Sequence, residues 1–196
     1  MQSNATRWAD YAAKRRLGER PQTSVTLPSS YGDASSGSRD RRKVGRRPRL
    51  CLVGSSGGHL AQLWALQSVW SEYDRVWVTF DKEDARSLLE RERKYWCFHP
   101  TNRNLINLAR NFCLAWRVLC DERPSLVLST GAAVAIPFFV LGRLFGVKLV
   151  YLEVYDRIDD GTVTGRLCQY FAHVFAVQWT EQLYFYKNAV LVGPVL

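Results

Sequence analysis

From Leu50 onward, short continuous apolar runs alternate with segments of helical periodicity, and this alternation limits the fold more than any other feature. Seven runs have the length of strands: 50–53, 75–80, 95–98, 125–129, 147–152, 175–179 and 189–193. Strands that are apolar along their whole length are typical of parallel sheets covered on both faces. The sequence therefore predicts an α/β fold, a doubly wound parallel sheet of about seven strands over residues 50–196.

Six segments between these runs have helical spacing, at 59–70, 83–92, 103–121, 132–145, 164–172 and 180–186. In the longest, Leu105, Leu108, Phe112, Ala115 and Leu119 recur on one helical face, which we predict to be buried. Parallel sheets bind ligands at the carboxyl ends of their strands. The loops that follow the predicted strands are therefore the candidate sites.

Residues 1–49 differ in composition from the rest and are predicted to be a disordered basic tail rich in Ser, Gly and Arg. Residues 1–50 hold 12 of the 27 Lys and Arg residues but only 4 of the 18 Asp and Glu. Such a segment buries too little apolar surface to offset its conformational entropy. Two alternatives stay open. The tail has no function and even precedes the true start of the protein, or its basic residues between 39 and 49 contact anionic lipid at about 1 kcal/mol each.

The remaining residues are nearly neutral, so a nucleic-acid enzyme is not expected and no nucleic-acid partner is predicted. The five cysteines are odd in number and lack metal-ligand spacing, which favours reduced thiols in the cytosol and predicts no metal site. No secretory signal is visible. The longest uncharged stretch, 126–142, is interrupted by small residues and by Pro137, which favours strand, turn and helix over a membrane span.

The loop after the first predicted strand consists of small residues and ends in a histidine: Ser55, Ser56, Gly57, Gly58 and His59. Free amides at the start of a helix attract anions, so this loop predicts a phosphate or pyrophosphate site. It lacks the Gly-Lys-Ser/Thr ending of a Walker loop and the glycine spacing of a dinucleotide loop. Asp81 follows the second strand, where an acid would bind ribose, so a nicotinamide enzyme remains an alternative.

Two side chains are candidates for catalysis. His59 stands at the first turn of a helix beside the predicted phosphate site and could remove a proton from an acceptor hydroxyl. Alternatively it only binds backbone at the helix start. Glu153, after the fifth strand, could hold a hydroxyl or assist His59, whereas Asp156 and its acidic neighbours 159 and 160 are expected to be solvated. The fourth strand ends in a second turn of small residues, Ser129, Thr130 and Gly131.

Three segments in this order resemble one family: GSSGGHL at 54–60, STGAAVAIPF at 129–138 and YLEVYDRIDDGTVTGRL at 151–167. It is the family of bacterial polysaccharide-biosynthesis glycosyltransferase subunits (PssD-like). This family is related to the membrane-anchoring subunit of the eukaryotic dolichol-linked N-acetylglucosaminyltransferase. It also resembles the amino-terminal domain of the enzyme that forms lipid II. The resemblance covers residues 50–196.

The resemblance implies a Rossmann-like domain that forms the acceptor half of a GT-B glycosyltransferase. It implies that Ser55, Ser56, Gly57, Gly58 and the turn 129–131 bind the pyrophosphate of a polyprenyl-pyrophosphate-linked sugar. His59 and Glu153 would be the catalytic residues. A single-chain relative would continue into a donor domain beyond residue 196, so we expect a second, donor-domain subunit and no cofactor.

The sequence therefore predicts the acceptor-binding subunit of a two-chain inverting glycosyltransferase, working peripherally at the cytoplasmic face of the membrane in surface polysaccharide biosynthesis. Membrane contact is expected through Phe138 and Phe139, with Arg143 and Lys148 meeting lipid phosphates, unless the helix 132–145 is buried. Exposed aromatic residues in 184–196 are expected to dock the partner. The alternatives are a stand-alone nucleotide- or NAD-binding α/β protein and a scaffold that only activates its partner.

Overall fold

A computed structural model describes residues 48–101 and 104–195. The predicted tail therefore lies outside the described residues except for its last two, Pro48 and Arg49. Arg49 is not part of a tail, because it opens the first strand and is buried in an ion-pair cluster. Its guanidinium binds Glu122 at 2.5 Å and Asp74 at 2.6 Å, so it has no role in lipid contact.

Seven parallel strands form one sheet in the order β3-β2-β1-β4-β5-β6-β7. They are β1 (Arg49–Val53), β2 (Asp74–Phe80), β3 (Lys94–Cys97), β4 (Leu126–Ser129), β5 (Lys148–Leu152), β6 (Val174–Val177) and β7 (Val190–Leu191). All seven predicted strands are present within a few residues of their expected bounds. The predicted doubly wound parallel sheet is confirmed.

Helices connect the strands and cover both faces of the sheet. They are α1 (Gly58–Ala65), α2 (Gln67–Trp70), α3 (Glu83–Leu88), α4 (Leu105–Glu122), α5 (Ala135–Leu144) and α6 (Val163–Cys168), with a 3₁₀ helix at Glu181–Tyr184. Right-handed crossovers place α1–α3 on one face and α4–α6 on the other. In the second layer α5 packs between α4 and α6. Among the described residues no helix is both long and apolar enough to cross a membrane.

The two faces of the sheet have separate cores. Under α1–α3 three tryptophans pack together, and the buried Trp70 and Trp77 rings meet at 5.3 Å. Under α4–α6 the core includes Phe138 and Phe139, which have no exposed surface. The expected membrane contact through these two phenylalanines is therefore wrong, because α5 turns them onto the sheet. Arg143 and Lys148 are exposed.

Helix α4 is oriented differently from the prediction at its first turn. Ala115 and Leu119 are buried as expected, but Leu105 is 78% exposed. Asn111 is fully buried instead, since its amide exchanges two 2.9 Å hydrogen bonds with the backbone of Phe98. These bonds satisfy the amide inside the protein, so the helix can turn polar side chains inward and apolar ones outward.

Candidate functional site

The order of the strands reverses between β1 and β4, and ligands of doubly wound sheets bind in the crevice outside such a point. The loops after these two strands are joined by reciprocal hydrogen bonds. The His59 ring donates from Nδ1 to the Thr130 carbonyl at 2.8 Å, and the Thr130 hydroxyl donates to the His59 carbonyl at 2.8 Å. We call residues 54–59 and 129–131 together the cradle. The structure thus brings together the two small-residue loops that the sequence predicted.

These contacts fix the chemical state of the His59 ring. Because a carbonyl oxygen only accepts, the proton of the neutral ring must lie on Nδ1, which leaves the lone pair on Nε2. Burial lowers the pKa of His59 below its usual 6.5, and this effect outweighs the opposing effect of the Thr130 carbonyl. The imidazole is therefore neutral near pH 7, with one nitrogen ready to accept a proton.

The first loop of the cradle offers room for an anion. Gly57 and Gly58 are exposed, and a methyl group added to either would meet no atom within 4 Å. Gly57 also has φ of +73°, which favours glycine. Its N–H donates to the Asp84 carboxylate at 2.6 Å, so in this structure a carboxylate already occupies one loop amide. Ser55 is buried and Ser56 half-buried at the base of the loop.

The second loop of the cradle supports the first instead of opening toward solvent. Ser129 and Thr130 are fully buried, and the Ser129 hydroxyl accepts from the Gly131 N–H at 3.0 Å. A methyl group on Gly131 would lie 2.6 Å from the Tyr151 hydroxyl and 3.2 Å from Cε1 of His59. Glycine at 131 therefore leaves the space that the His59 ring needs.

Glu153, predicted from the sequence to hold a hydroxyl or to assist His59, is bound by groups inside the protein. The carboxylate is fully buried and accepts hydrogen bonds from Tyr186, from the Thr162 hydroxyl at 3.1 Å and from the Val154 N–H at 3.0 Å. Burial raises the pKa of Glu153 above its usual value, although these hydrogen bonds oppose the shift. With its oxygens bound by protein groups, Glu153 holds the loop after β5 onto the start of α6. We call Glu153, Thr162 and Tyr186 the carboxylate cluster.

Sequence reasoning missed a set of buried glutamines that bind one another and the loop after β5. Gln178 donates to Gln62 at 3.0 Å and to the Glu153 carbonyl at 2.8 Å, and all three residues are buried. Gln182 donates to the Val154 carbonyl at 2.8 Å. The one available signal was a glutamine at position 178, inside the otherwise apolar run 175–179.

The loop after β5 also acts on the cradle through its charges. Asp156 raises the pKa of His59 and Arg157 lowers it, both less than burial does. Both side chains are exposed. Asp156 is exposed as expected, and its negative charge also favours the protonated form of the His59 ring.

The acid expected to bind ribose in the nicotinamide alternative is already paired. Arg86 donates to the two carboxylate oxygens of Asp81 at 2.5 and 2.8 Å. This pair lowers the pKa of Asp81 and occupies the oxygens that would accept from ribose hydroxyls. The geometry therefore does not favour a nicotinamide enzyme.

Solved structures share this sheet. MurG from Acinetobacter baumannii aligns with a TM-score of 0.61 at 15% identity, over 74% of this chain and 45% of that one. A UDP-N-acetylglucosamine 2-epimerase from Rickettsia bellii aligns with a TM-score of 0.57 at 14% identity, over 70% and 41%. The chain spans less than half the length of both structures. At these identities the likeness shows the fold alone, which is that of one Rossmann-like domain of the GT-B type.

The chain belongs to the Alg14-like family of oligosaccharide biosynthesis proteins, whose sequence pattern matches residues 50–195. A mouse relative, named UDP-N-acetylglucosamine transferase subunit ALG14, is 24% identical over 180 residues, which cover 76% of this chain and 83% of that protein. A fission yeast protein of the same name is 30% identical over 77 residues, 37% of each chain. The predicted relation to the family of the eukaryotic subunit is confirmed.

Proposed function

We propose that the protein is the acceptor-binding subunit of a two-chain inverting glycosyltransferase at the cytoplasmic face of a membrane. The donor is a UDP-sugar, by analogy with the mouse relative UDP-N-acetylglucosamine, and the acceptor is a polyprenyl-pyrophosphate-linked sugar of surface polysaccharide biosynthesis. The observation that carries this proposal is the neutral His59 ring held by Thr130 beside the open loop of Gly57 and Gly58.

The acceptor pyrophosphate binds at the amides of the first loop. Positive amide ends at the start of α1 favour an anion there, and the two glycines let it approach the backbone closely. Ser129, Thr130 and Gly131 act through the position of His59, since the two hydroxyls are buried in contacts with protein. We assign the direct anion contacts to the loop of Gly57 and Gly58.

His59 is the general base of the transfer. The acceptor hydroxyl oxygen attacks the anomeric carbon of the donor sugar, its proton passes to Nε2 of His59, and the carbon–oxygen bond to UDP breaks with its electron pair leaving on UDP. Attack from the face opposite UDP inverts the anomeric centre. Glu153 is a positioning residue in this mechanism, because its oxygens are held by the carboxylate cluster.

The donor site belongs to a second subunit. Support comes from the family, since the mouse and fission yeast relatives are both named as subunits. The cradle is consistent with this division, because we assign its amides and its base to the acceptor and not to a nucleotide. Holding both substrates in line accounts for much of the rate of a bimolecular transfer. We expect little sugar transfer by this chain alone.

Fewer side chains of the segment 184–196 are exposed to a partner than the sequence predicted. In the segment 184–196 the aromatic residues are not exposed: Tyr184 and Phe185 are half-buried and Tyr186 is buried. Val190 and Val192 are exposed instead, on and just beyond the edge strand β7. An unpaired strand edge with exposed valines is the surface of this segment that a partner could cover.

The test is a transfer assay with the purified chain and its reconstituted partner, using labelled UDP-N-acetylglucosamine and a polyprenyl-pyrophosphate-linked acceptor. His59→Gln should lower kcat by about 10²–10⁴-fold with little change in KM for the donor. The matched control is His99→Ala, an exposed histidine after β3, which should retain activity.

Glu153→Gln separates a positioning role from a catalytic one. As a positioning residue, Glu153→Gln should lower the melting temperature while a protein kept below that temperature retains most of its turnover. Two results would contradict the proposal: full activity of the His59 variant, or robust transfer by the isolated chain without any partner in the preparation.

A further inference from the structure

The outer surface of the helix layer α4–α6 is apolar where a water-facing helix surface is usually polar. Eight large apolar side chains on or just after these helices have exposed fractions between 40% and 78%. They are Leu105, Ile106, Trp116, Leu144, Phe145, Val163, Leu167 and Tyr170. We call this surface the apolar face. Large apolar side chains exposed in such number on one helix layer are typical of an interaction site in soluble proteins.

The opposite layer shows that this is a local property and not the composition of the chain. On or just after helices α1, α2 and α3 only two large apolar side chains are exposed by more than 40%, Val69 at 51% and Tyr73 at 43%. The exposed positions of α3 are all polar or charged: Glu83, Asp84, Arg86 and Ser87. The same sheet therefore carries an ordinary polar helix layer on one side and an apolar one on the other.

Helix α4 shows that the arrangement is built into the fold. Its inner side holds Asn107, Asn111 and Glu122, whose polar groups are hydrogen-bonded inside the protein. Its outer side carries Ile106 and Trp116, and the Trp116 ring packs on Phe145 with centroids 5.0 Å apart. This contact joins the exposed surfaces of α4 and α5. The 18 residues of α4 make the surface about 27 Å long.

Charge decides what covers the apolar face. Four exposed arginines lie on these helices, Arg110, Arg117, Arg143 and Arg166, whereas Asp121 is their single exposed carboxylate. Arginine side chains can lie along an apolar surface while the guanidinium reaches its rim. Apolar side chains with arginines among them match a bilayer surface with anionic headgroups. A water-soluble partner would place these cations against carboxylates instead.

The apolar face reaches the same edge of the sheet as the cradle. Each of the three helices starts at the carboxyl edge of the sheet, and α5 follows the turn of Ser129–Gly131 directly. Leu105, Ile106 and Val163 lie in the first turns of α4 and α6, so the apolar face reaches the same edge as the cradle. A polyprenyl chain could stay in the bilayer while its pyrophosphate enters the cradle.

We propose that the outer surfaces of α4, α5 and α6 form the docking surface of this subunit on an anionic lipid bilayer. The proposal replaces the contact through Phe138 and Phe139, and it rests on the proposed function for its biological role. Its occupant is a membrane, not a second copy of the chain or a partner subunit.

Sedimentation of the full chain with vesicles tests the proposal. Two types of vesicle are compared: neutral vesicles of phosphatidylcholine, and anionic vesicles that also contain about 30% phosphatidylglycerol. The chain should bind the anionic vesicles, because their surface is negatively charged. Ile106→Glu with Leu144→Glu should weaken binding by at least about tenfold, since each change places a charge in the apolar contact. Val69→Glu, an equal change on the opposite layer, should leave binding unchanged. Arg110→Gln with Arg166→Gln should weaken it by about fivefold for each charge removed, and only on anionic vesicles.

Three results would overturn the proposal. The full chain fails to bind either type of vesicle, or the Ile106/Leu144 variant binds as tightly as the Val69 variant. The third is self-association of the wild-type chain in the ultracentrifuge that the Ile106/Leu144 variant abolishes, which would make the face an interface between copies. Ile106→Ser with Leu144→Ser carries the same comparison if the glutamate variants do not fold. Vesicle binding with no sugar transfer by the reconstituted pair would refute the proposed function and leave the docking surface intact.

Discussion

Replacing Gly165 by alanine tests whether the carboxylate cluster holds the loop after β5 in place. Gly165 lies in the first turn of α6, and its N–H donates to the capping hydroxyl of Thr162 at 2.9 Å. A methyl group there would press on the Glu153 carboxylate, lie 2.7 Å from the Tyr186 hydroxyl and 2.9 Å from the Thr162 hydroxyl. Helix propensity alone predicts that this change stabilises the protein by up to about 1 kcal/mol.

The structure predicts the opposite sign. To admit the methyl group, the cluster must lose the Thr162 cap, which contributes about 1 kcal/mol. It must also stretch the hydrogen bonds of a buried carboxylate, which contribute about 1.5–3 kcal/mol each. Against the gain in propensity, we expect Gly165→Ala to lower the free energy of unfolding by about 2 kcal/mol. For a domain of this size, that corresponds to a fall in melting temperature of about 4–8 °C.

Urea unfolding followed by circular dichroism measures the change, with Gly58→Ala as the matched control. Gly58 is also in the first turn of a helix, but a methyl group there meets no atom within 4 Å. Its substitution should leave stability unchanged or raise it slightly, while it weakens acceptor binding. A Gly165 variant as stable as the Gly58 variant would show that Glu153 is not tightly held, and our assignment of it as a positioning residue would be wrong.

Three further predictions concern charge. The kcat/KM of the reconstituted enzyme should fall on acidification with an apparent pKa below 6.5, because burial lowers the pKa of His59 and only its neutral ring accepts a proton; an apparent pKa at or above 6.5 would contradict this. Asp84→Asn should tighten binding of a soluble alkyl-pyrophosphate acceptor by about fivefold in calorimetry, since it removes a negative charge bound to the Gly57 amide. Arg49→Met should cost about 1.5–3 kcal/mol in urea unfolding, because Glu122 loses its buried guanidinium but keeps Arg93 and Tyr95, and a loss below about 1 kcal/mol would refute the buried pair.

The sheet and the cradle could be predicted from sequence because their determinants are local. Strands buried on both faces require continuous apolar runs, and the seven runs that the sequence shows are the seven strands of the structure. A loop of small residues between a strand and a helix places backbone amides at the sheet edge wherever the chain is parallel. Gly57, Gly58 and His59 therefore stand where the sequence put them.

The orientation of the helices could not be predicted in this way. Helix α5 is apolar on nearly all sides, so periodicity cannot tell that Phe138 and Phe139 face the sheet while Leu144 faces outward. In α4 the loop after β3 offers backbone groups that only the folded chain brings within reach of Asn107 and Asn111. Local hydrophobicity carries no information about such distant partners.

The position of His59 could be predicted from the sequence and the role of Glu153 could not, again because one depends on neighbouring residues and the other on distant ones. The place of His59 follows from sequence, because a histidine directly after two glycines at the start of a helix must lie beside the loop amides. The role of Glu153 depends on Tyr186, 33 residues further along the chain, which only the packing of α6 and the 3₁₀ helix brings to the carboxylate. Sequence alone determined the sheet, its loops and the candidate base. Tertiary structure decided which polar groups are buried and hydrogen-bonded and which apolar side chains are exposed, because both depend on residues that are distant in the chain.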